Sequence, residues 1–358
     1  MRFLRVAAIA AGGLLVVTQL SPAQASGGPS YRWNLTPTGS TAQFRGLSAV
    51  SKDIAWVGGS QGQVLRTLDG GRRWQNVSPP GAEALQFRDV HAFDAKRAVI
   101  LSIGTGTDSR VYRTADGGKS WTETFRNADP NAFYDCLAFN DDRNGLALSD
   151  PVDGKFRIAA TADGGRSWKV QSNAGMPAAL PGEFAFAASG TCLVAGRGRT
   201  AWFATGGGDR PRVFRTSDGG RRWSVTDSPM ASGAAAGIFS LTFRNSLFGV
   251  AVGGDFEKPT EAVKAASVTY DGGRSWKLVP AGKAPKGYRS GSTFVPWSPF
   301  TVIAVGPSGS DVSQDGGRSW KQFYDGSFDS VECGGHGIRA GCWASGAKGA
   351  VARLEVGR

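Results

Sequence analysis

The chain has 358 residues, with 41 basic and 29 acidic side chains and a formal net charge of +12. A length prior would split it in two, yet closed all-β rings of this size run as single domains. Beyond the first residues no apolar stretch is long enough to span a bilayer, and neither histidine, His91 or His336, sits in a Cys/His cluster with zinc spacing, so no metal site is expected.

Residues 1–25 read as a secretory signal peptide. Arg2 and Arg5 form a basic start, Val6 to about Thr18 an apolar run, and Ala23-Gln24-Ala25 a small-residue cleavage site. No Cys sits at the cleavage point, so a lipid anchor is not expected. Cleavage removes two basic residues and leaves 39 against 29 acidic, a net charge of +10. Residues 26–358 are then an exported, soluble, monomeric chain forming one domain, in a compartment that permits disulfides. Its cysteines, Cys136, Cys192, Cys333 and Cys342, allow three pairings or four buried thiols. The Gly-rich turn between Cys333 and Cys342 favours that pair.

A refrain dominates the mature chain. "TLDGGRRW" (67–74) returns as "TADGGKSW" (114–121), "TADGGRSW" (161–168), "TSDGGRRW" (216–223), "TYDGGRSW" (269–276) and "SQDGGRSW" (313–320). The refrain aspartates, Asp69, Asp116, Asp163, Asp218, Asp271 and Asp315, are spaced by 44 to 55 residues. Short β-branched and aromatic runs lie between the refrains, with no helical periodicity, so each unit reads as a four-stranded propeller blade. The refrain falls at the turn between third and fourth strands. There its glycines allow positive φ, its Asp accepts backbone N–H bonds, and its Trp packs between blades.

Both ends of the chain raise the blade count to seven. "YRWNLTPTGSTAQFRGL" (31–47) resembles "RRWQNVSPPGAEALQFRDV" (72–90), so Trp33 opens an outer strand near residues 31–36 that lacks its own blade. "FDSVEC", "RAGCWAS" and "GAVARLEV" form a last blade that lacks its outer strand. The first strand therefore closes the ring, giving an all-β, seven-bladed propeller of four-stranded antiparallel blades.

In such a ring the inner strands start at a channel mouth opposite the refrain turns. They are expected near residues 44, 87, 133, 183, 238, 288 and 328. Their first polar residues are Arg45, Arg88, Asp89, Tyr134, Asp135, Glu183, Ser240, Tyr288, Arg289 and Asp329. Long loops between second and third strands of blades 2 to 5 add Asp108, Asp150, Asp153, Arg199, Trp202, Asp209, Asp255 and Glu257. On the opposite face the sixth refrain position is always basic: Arg72, Lys119, Arg166, Arg221, Arg274 and Arg318. That ring of charge would attract acidic proteins, anionic glycans or headgroups. Without interleaved exposed aromatics, nucleic acid is not an expected partner.

The refrain resembles the Asp-box, or BNR, repeat, and the whole of residues 31–356 resembles the photosystem II stability/assembly factor family of propellers. That resemblance implies a non-enzymatic factor that binds partner proteins and needs no cofactor. Sialidases also carry Asp-boxes, which sets an exo-glycosidase as the alternative: Arg45, Arg88 and Arg289 as a carboxylate-binding triad, with Tyr134 or Tyr288 and Glu183 as nucleophile and base. Their Phe/Tyr-Arg-Ile-Pro signature is missing, the nearest text being Phe156-Arg157-Ile158-Ala159. A third reading is carbohydrate binding on Trp202 and the long loops. The G-x-S-x-G match at Gly58–Gly62 lies in a hairpin, without the helix a nucleophile elbow needs.

Overall fold

The computed structural model describes residues 28–357. The signal-peptide reading of residues 1–25 lies outside the described residues. Within them, seven four-stranded antiparallel sheets stand around one ring, and the only helical pieces are two short 3-10 turns at Gly106–Asp108 and Gly337–Arg339. No helix among the described residues is long and apolar enough to cross a membrane.

Blade 1 sets the pattern: inner strand Phe44–Ala49, then Ala55–Gly59, Val64–Thr67 and a two-residue outer strand, Gln75–Asn76. The second strand, Ala-Trp-Val-Gly-Gly, is buried along its whole length, since both faces of a blade meet neighbouring blades. Blade 7 is assembled from both ends of the chain. Its strands Ser330–Gly334, Gly341–Ser345 and Val351–Gly357 are completed by Ser30–Leu35, with Trp33 opposite Leu354.

Seven tryptophans occupy equivalent seams. Trp33 packs with residues of blades 6 and 7, Trp74 with 7 and 1, Trp121 with 1 and 2, and Trp168 with 2 and 3. Trp223, Trp276 and Trp320 continue the series around the ring. Each ring thus seals its own blade to the preceding one. Losing one such buried aromatic costs about 3–5 kcal/mol.

Each refrain positions its Trp by the same hydrogen bonds. The Thr67 hydroxyl donates to Asp69 (3.0 Å) and accepts the Gly71 N–H (2.9 Å), while Asp69 accepts the Arg73 N–H (3.0 Å). Asp163 accepts the Arg166 and Ser167 N–H groups and the Ser167 hydroxyl. These bonds favour the carboxylate and hold Asp163 down at about 2, although partial burial acts the other way. Gly71 needs its lack of a side chain twice over. Its φ is +84°, and a Cβ would sit 2.5 Å from Thr36 of the adjoining blade.

The two disulfides are Cys333–Cys342 and Cys136–Cys192. The first joins directly opposed residues of the blade 7 hairpin, as its turn suggested. The second crosses from the inner strand of blade 3 to the residue before the inner strand of blade 4.

Blade 4 departs from the sequence reading. Its inner strand is Leu193–Ala195, ten residues after the expected start near 183. The text taken as its long second-to-third loop contains its second strand, Ala201–Ala204. Phe184-Ala185-Phe186 alternates like a strand, which displaced every later element of that blade by one.

Two outcomes test this architecture. Asp163→Ala is expected to destabilise folding by about 1–2 kcal/mol by leaving turn donors unpaired, read from denaturant midpoints. Removing residues 26–38 takes away the outer strand of blade 7, so melting should fall and the exposed edge should drive self-association on size-exclusion chromatography. A truncated protein with unchanged melting would refute ring closure.

Candidate functional site

The inner strands share a device at the mouth. Those of blades 1, 2, 3 and 5 each carry a β-bulge there, at Arg45, Arg88, Asp135 and Phe239. A bulge leaves one residue unpaired and re-aims its side chain. Arg45, Arg88 and Phe239 all line one cavity of about 450 Å³.

Residues 184–191, read from the sequence as an inner strand, instead cross the ring. The Ala185 N–H bonds Asp150 of blade 3 (2.8 Å), and the Ala187 carbonyl accepts from Arg88 of blade 2 (3.1 Å). Gly190 lies so close to Asp89 of blade 2 that a Cβ would sit 2.7 Å from its carboxylate. On the other side the Ser189 hydroxyl donates to the Ser290 carbonyl of blade 6 (2.7 Å). A segment from blade 4 that touches both blade 2 and blade 6 spans the central channel. It plugs the channel and floors the cavity with Phe186, Ala187 and Ala188.

Both ends of the plug are pinned. Glu183 is buried against Arg212, which donates from Nε (2.9 Å) and Nη2, and it also accepts from Thr205 (2.6 Å) and the Leu180 N–H (2.8 Å). Cys192 at the far end is tied to Cys136. Glu183 is therefore an anchor, with no oxygen offered to the mouth.

The other expected site residues divide in the same way. Arg45, Arg88, Tyr288 and Asp329 are brought together around the cavity. Asp329 lies 3.7 Å from Arg45 and accepts from Gln43 (3.0 Å). Burial and the charge of Arg45 bring Arg88 down to about 10. Asp255 does not line the cavity, and its carboxylate accepts the Glu257 N–H within its own loop. Arg289 is fully buried and bonds Asp311 (2.6 Å), Ser308 and the Tyr288 carbonyl. Tyr134 is buried edge-on against Phe125, and burial raises its hydroxyl to about 12. The arginine triad and the tyrosine–glutamate pair of the glycosidase reading are thus not assembled.

Trp202 and Arg199 belong to the opposite side. Trp202 is buried and donates to Gly272 in the refrain turn of blade 5 (2.8 Å), so it is no platform for a sugar. Arg199 lies beside the refrain turn of blade 4, in a groove of about 1110 Å³ between blades 3 and 4. The cause is the shifted strand assignment of blade 4.

Sequence reasoning missed the aromatic wall. Phe186 and Phe239 stack with centroids 3.7 Å apart, Tyr288 meets Phe239 edge-on, and Phe256 stands half-exposed at the rim. Selecting the first polar residue of each strand passed over Phe239, one position before Ser240. An aromatic at the bulge position was the available signal.

Several buried carboxyls support the plug. Asp89 accepts the Leu137 N–H (2.6 Å), and burial pushes it up to about 8; burial likewise pushes Asp150 up to about 7. Asp135 is raised by burial and by the charge of Asp150.

The molecule is a seven-bladed β-propeller, and solved structures agree on that fold. The structure described as "YCF48 bound to D1 peptide" matches at a TM-score of 0.60 and 15% identity, over 90% of this chain and 94% of that one. YCF48 from Cyanidioschyzon merolae matches at 0.57 and 17%, over 90% and 98%. The WD40 propeller domain of Doa1 matches at 0.59 and 12%, over 90% and 97%. At these identities the likeness shows the fold alone. No protein-family model matches the chain, and no functionally curated protein matches it.

The carboxyl shifts have a direct consequence. A group raised from 3.8 to about 8 binds its proton more tightly folded than unfolded. The stabilisation it gives is present at low pH and is lost as pH rises between those values. Asp89→Asn keeps an acceptor for Leu137 and removes the titration. Its melting temperature should fall less than wild type between about pH 5 and about pH 8, followed by scanning fluorimetry. Parallel curves for the two proteins would show that Asp89 does not titrate in this way.

Proposed function

We propose that this chain is an exported, non-catalytic scaffold that holds an acidic segment of a partner protein on its refrain-turn face. The observation that carries this reading is an excess of unpaired positive charge. All six basic residues at the sixth refrain position are exposed, and none makes an ion pair among the described residues. In the groove between blades 3 and 4, Lys169, Arg199, Arg221 and Arg222 converge, and no Asp or Glu lines it. A cleft with one sign of charge focuses its field on an oppositely charged partner.

The compartment and partner class have their own support. Two disulfides suit an oxidising compartment, in keeping with export. A propeller of the same fold is described as bound to a peptide, which favours a protein segment as ligand. Neither the arginine triad nor the nucleophile pair of the glycosidase alternative converges at the mouth, which supports a binding role.

A fluorescent Glu-rich peptide tests the reading. It should bind at low salt and weaken several-fold as salt approaches about 0.5 M, where the screening length falls to a few ångströms. Combined Arg199→Gln, Arg221→Gln and Arg222→Gln should cut affinity at least tenfold on the scale of about 1 kcal/mol per lost charged contact, at unchanged melting. Equal binding by wild type and triple variant would overturn the groove as the site. Turnover of fluorogenic sialosides that disappears in Tyr288→Phe would replace the scaffold with the glycosidase.

A further inference from the structure

The mouth cavity lies on the face away from the basic groove, and its chemistry is independent of the partner reading. Its two halves differ in kind. On the side of blades 7, 1 and 2 stand Arg45, Arg88 and Asp329; on the side of blades 4, 5 and 6 stand Phe186, Phe239, Phe256 and Tyr288. The plug closes its floor, and about 450 Å³ lies within the range of small-molecule pockets, roughly 300–1,000 Å³.

The charged half is incomplete. Two guanidiniums and one carboxylate line the cavity, Asp329 already accepts from Gln43, and the second carboxyl near Arg88, Asp135, is buried outside the lining. Arg88 donates to Ala187 and Gln86. Arg45 makes no hydrogen bond from its side chain among the described residues, its nearest acceptor being Asp329 at 3.7 Å, and its Nε is buried without a partner. A buried guanidinium donor left without an acceptor is costly, and a planar two-oxygen anion is the group that satisfies it. The apolar half offers the stacked pair Phe186–Phe239 with Tyr288 edge-on at 4.6 Å, a wall suited to a flat hydrocarbon body.

We infer that the mouth cavity is a binding site for a small organic acid that carries one carboxylate on an aromatic body, with the carboxylate on Arg45 and Arg88 and the ring against Phe186 and Phe239. Each half alone would be weak. The anion supplies the acceptor that Arg45 lacks, and the ring takes its own apolar surface and the exposed part of Phe256 out of water. No bond is made or broken.

Titration calorimetry on the mature chain tests the assignment with phenylacetate, 3-phenylpropionate and indole-3-acetate. Their comparators are 3-phenylpropionamide, which lacks the charge, and acetate, which lacks the ring. At least one aromatic acid should bind, with its amide about tenfold weaker or worse and acetate silent. Arg45→Gln should reproduce that loss with little change in melting temperature, because its side chain makes no hydrogen bond and its one ion pair, with Asp329, is long at 3.7 Å. Lys321→Gln, on the exposed outer strand of blade 6 and outside both cavities, should leave affinity unchanged. A peptide with a free C-terminal phenylalanine carries the same two groups, so it is titrated alongside. Binding by the peptide and by none of the acids overturns the small-molecule assignment. Equal binding of acid and amide, wild-type affinity in Arg45→Gln, or no binding by any probe at millimolar concentration would overturn the site itself.

Discussion

Everything in this molecule depends on sealing seven blades to one another with a repeated tryptophan. A four-stranded blade is apolar on both faces and cannot bury either alone. Trp33, Trp74, Trp121, Trp168, Trp223, Trp276 and Trp320 each fill the seam to the preceding blade. The Thr/Ser–Asp–Gly–Gly turn before six of them aims the ring, through hydroxyl and carboxylate bonds that recur with nearly the same lengths. The aspartates are thus spent on geometry. Their low titration points record the backbone N–H groups they hold.

That rigid ring frees its two faces for different chemistry. The refrain turns must be short and polar, so the residue after the second glycine can be basic without disturbing packing. The mouth instead takes Arg45, Arg88 and Phe239 from bulges on three of its inner strands, and here the blades have diverged. Arginines fall on one arc and aromatics on the other. The plug converts a channel into a closed floor, which separates this ring from an open tube. Its buried supports, Glu183 with Arg212 and Asp150 with the Ala185 N–H, explain why these two acidic residues do not face solvent at the mouth.

Repetition made the ring readable from the sequence. Six refrains, an orphan Trp33 strand and a last blade short of one strand leave a single closed arrangement, and the pairing of Trp33 with Leu354 is that arrangement. What repeats only once was not readable. Phe184-Ala185-Phe186 has the period of a strand, and only contacts to blades 2 and 6 reveal a plug. Arg289 looked available because its partner, Asp311, comes from a strand 22 residues later, and Glu183 looked available because Arg212 stands 29 residues on. Local pattern reports which way a strand alternates. It does not report which buried charge will meet which.

The closing strand also fixes an order of events. Ser30–Leu35 is the first described strand to leave the ribosome, and it pairs with Val351–Gly357, the last. Until those residues arrive, blade 7 has an open edge and the seam at Trp33 is empty. The ring therefore cannot shut during synthesis, and the loop it must close spans more than 300 residues. Six of the blades are built from consecutive strands and can form earlier, so the last seal alone waits for the two ends to meet.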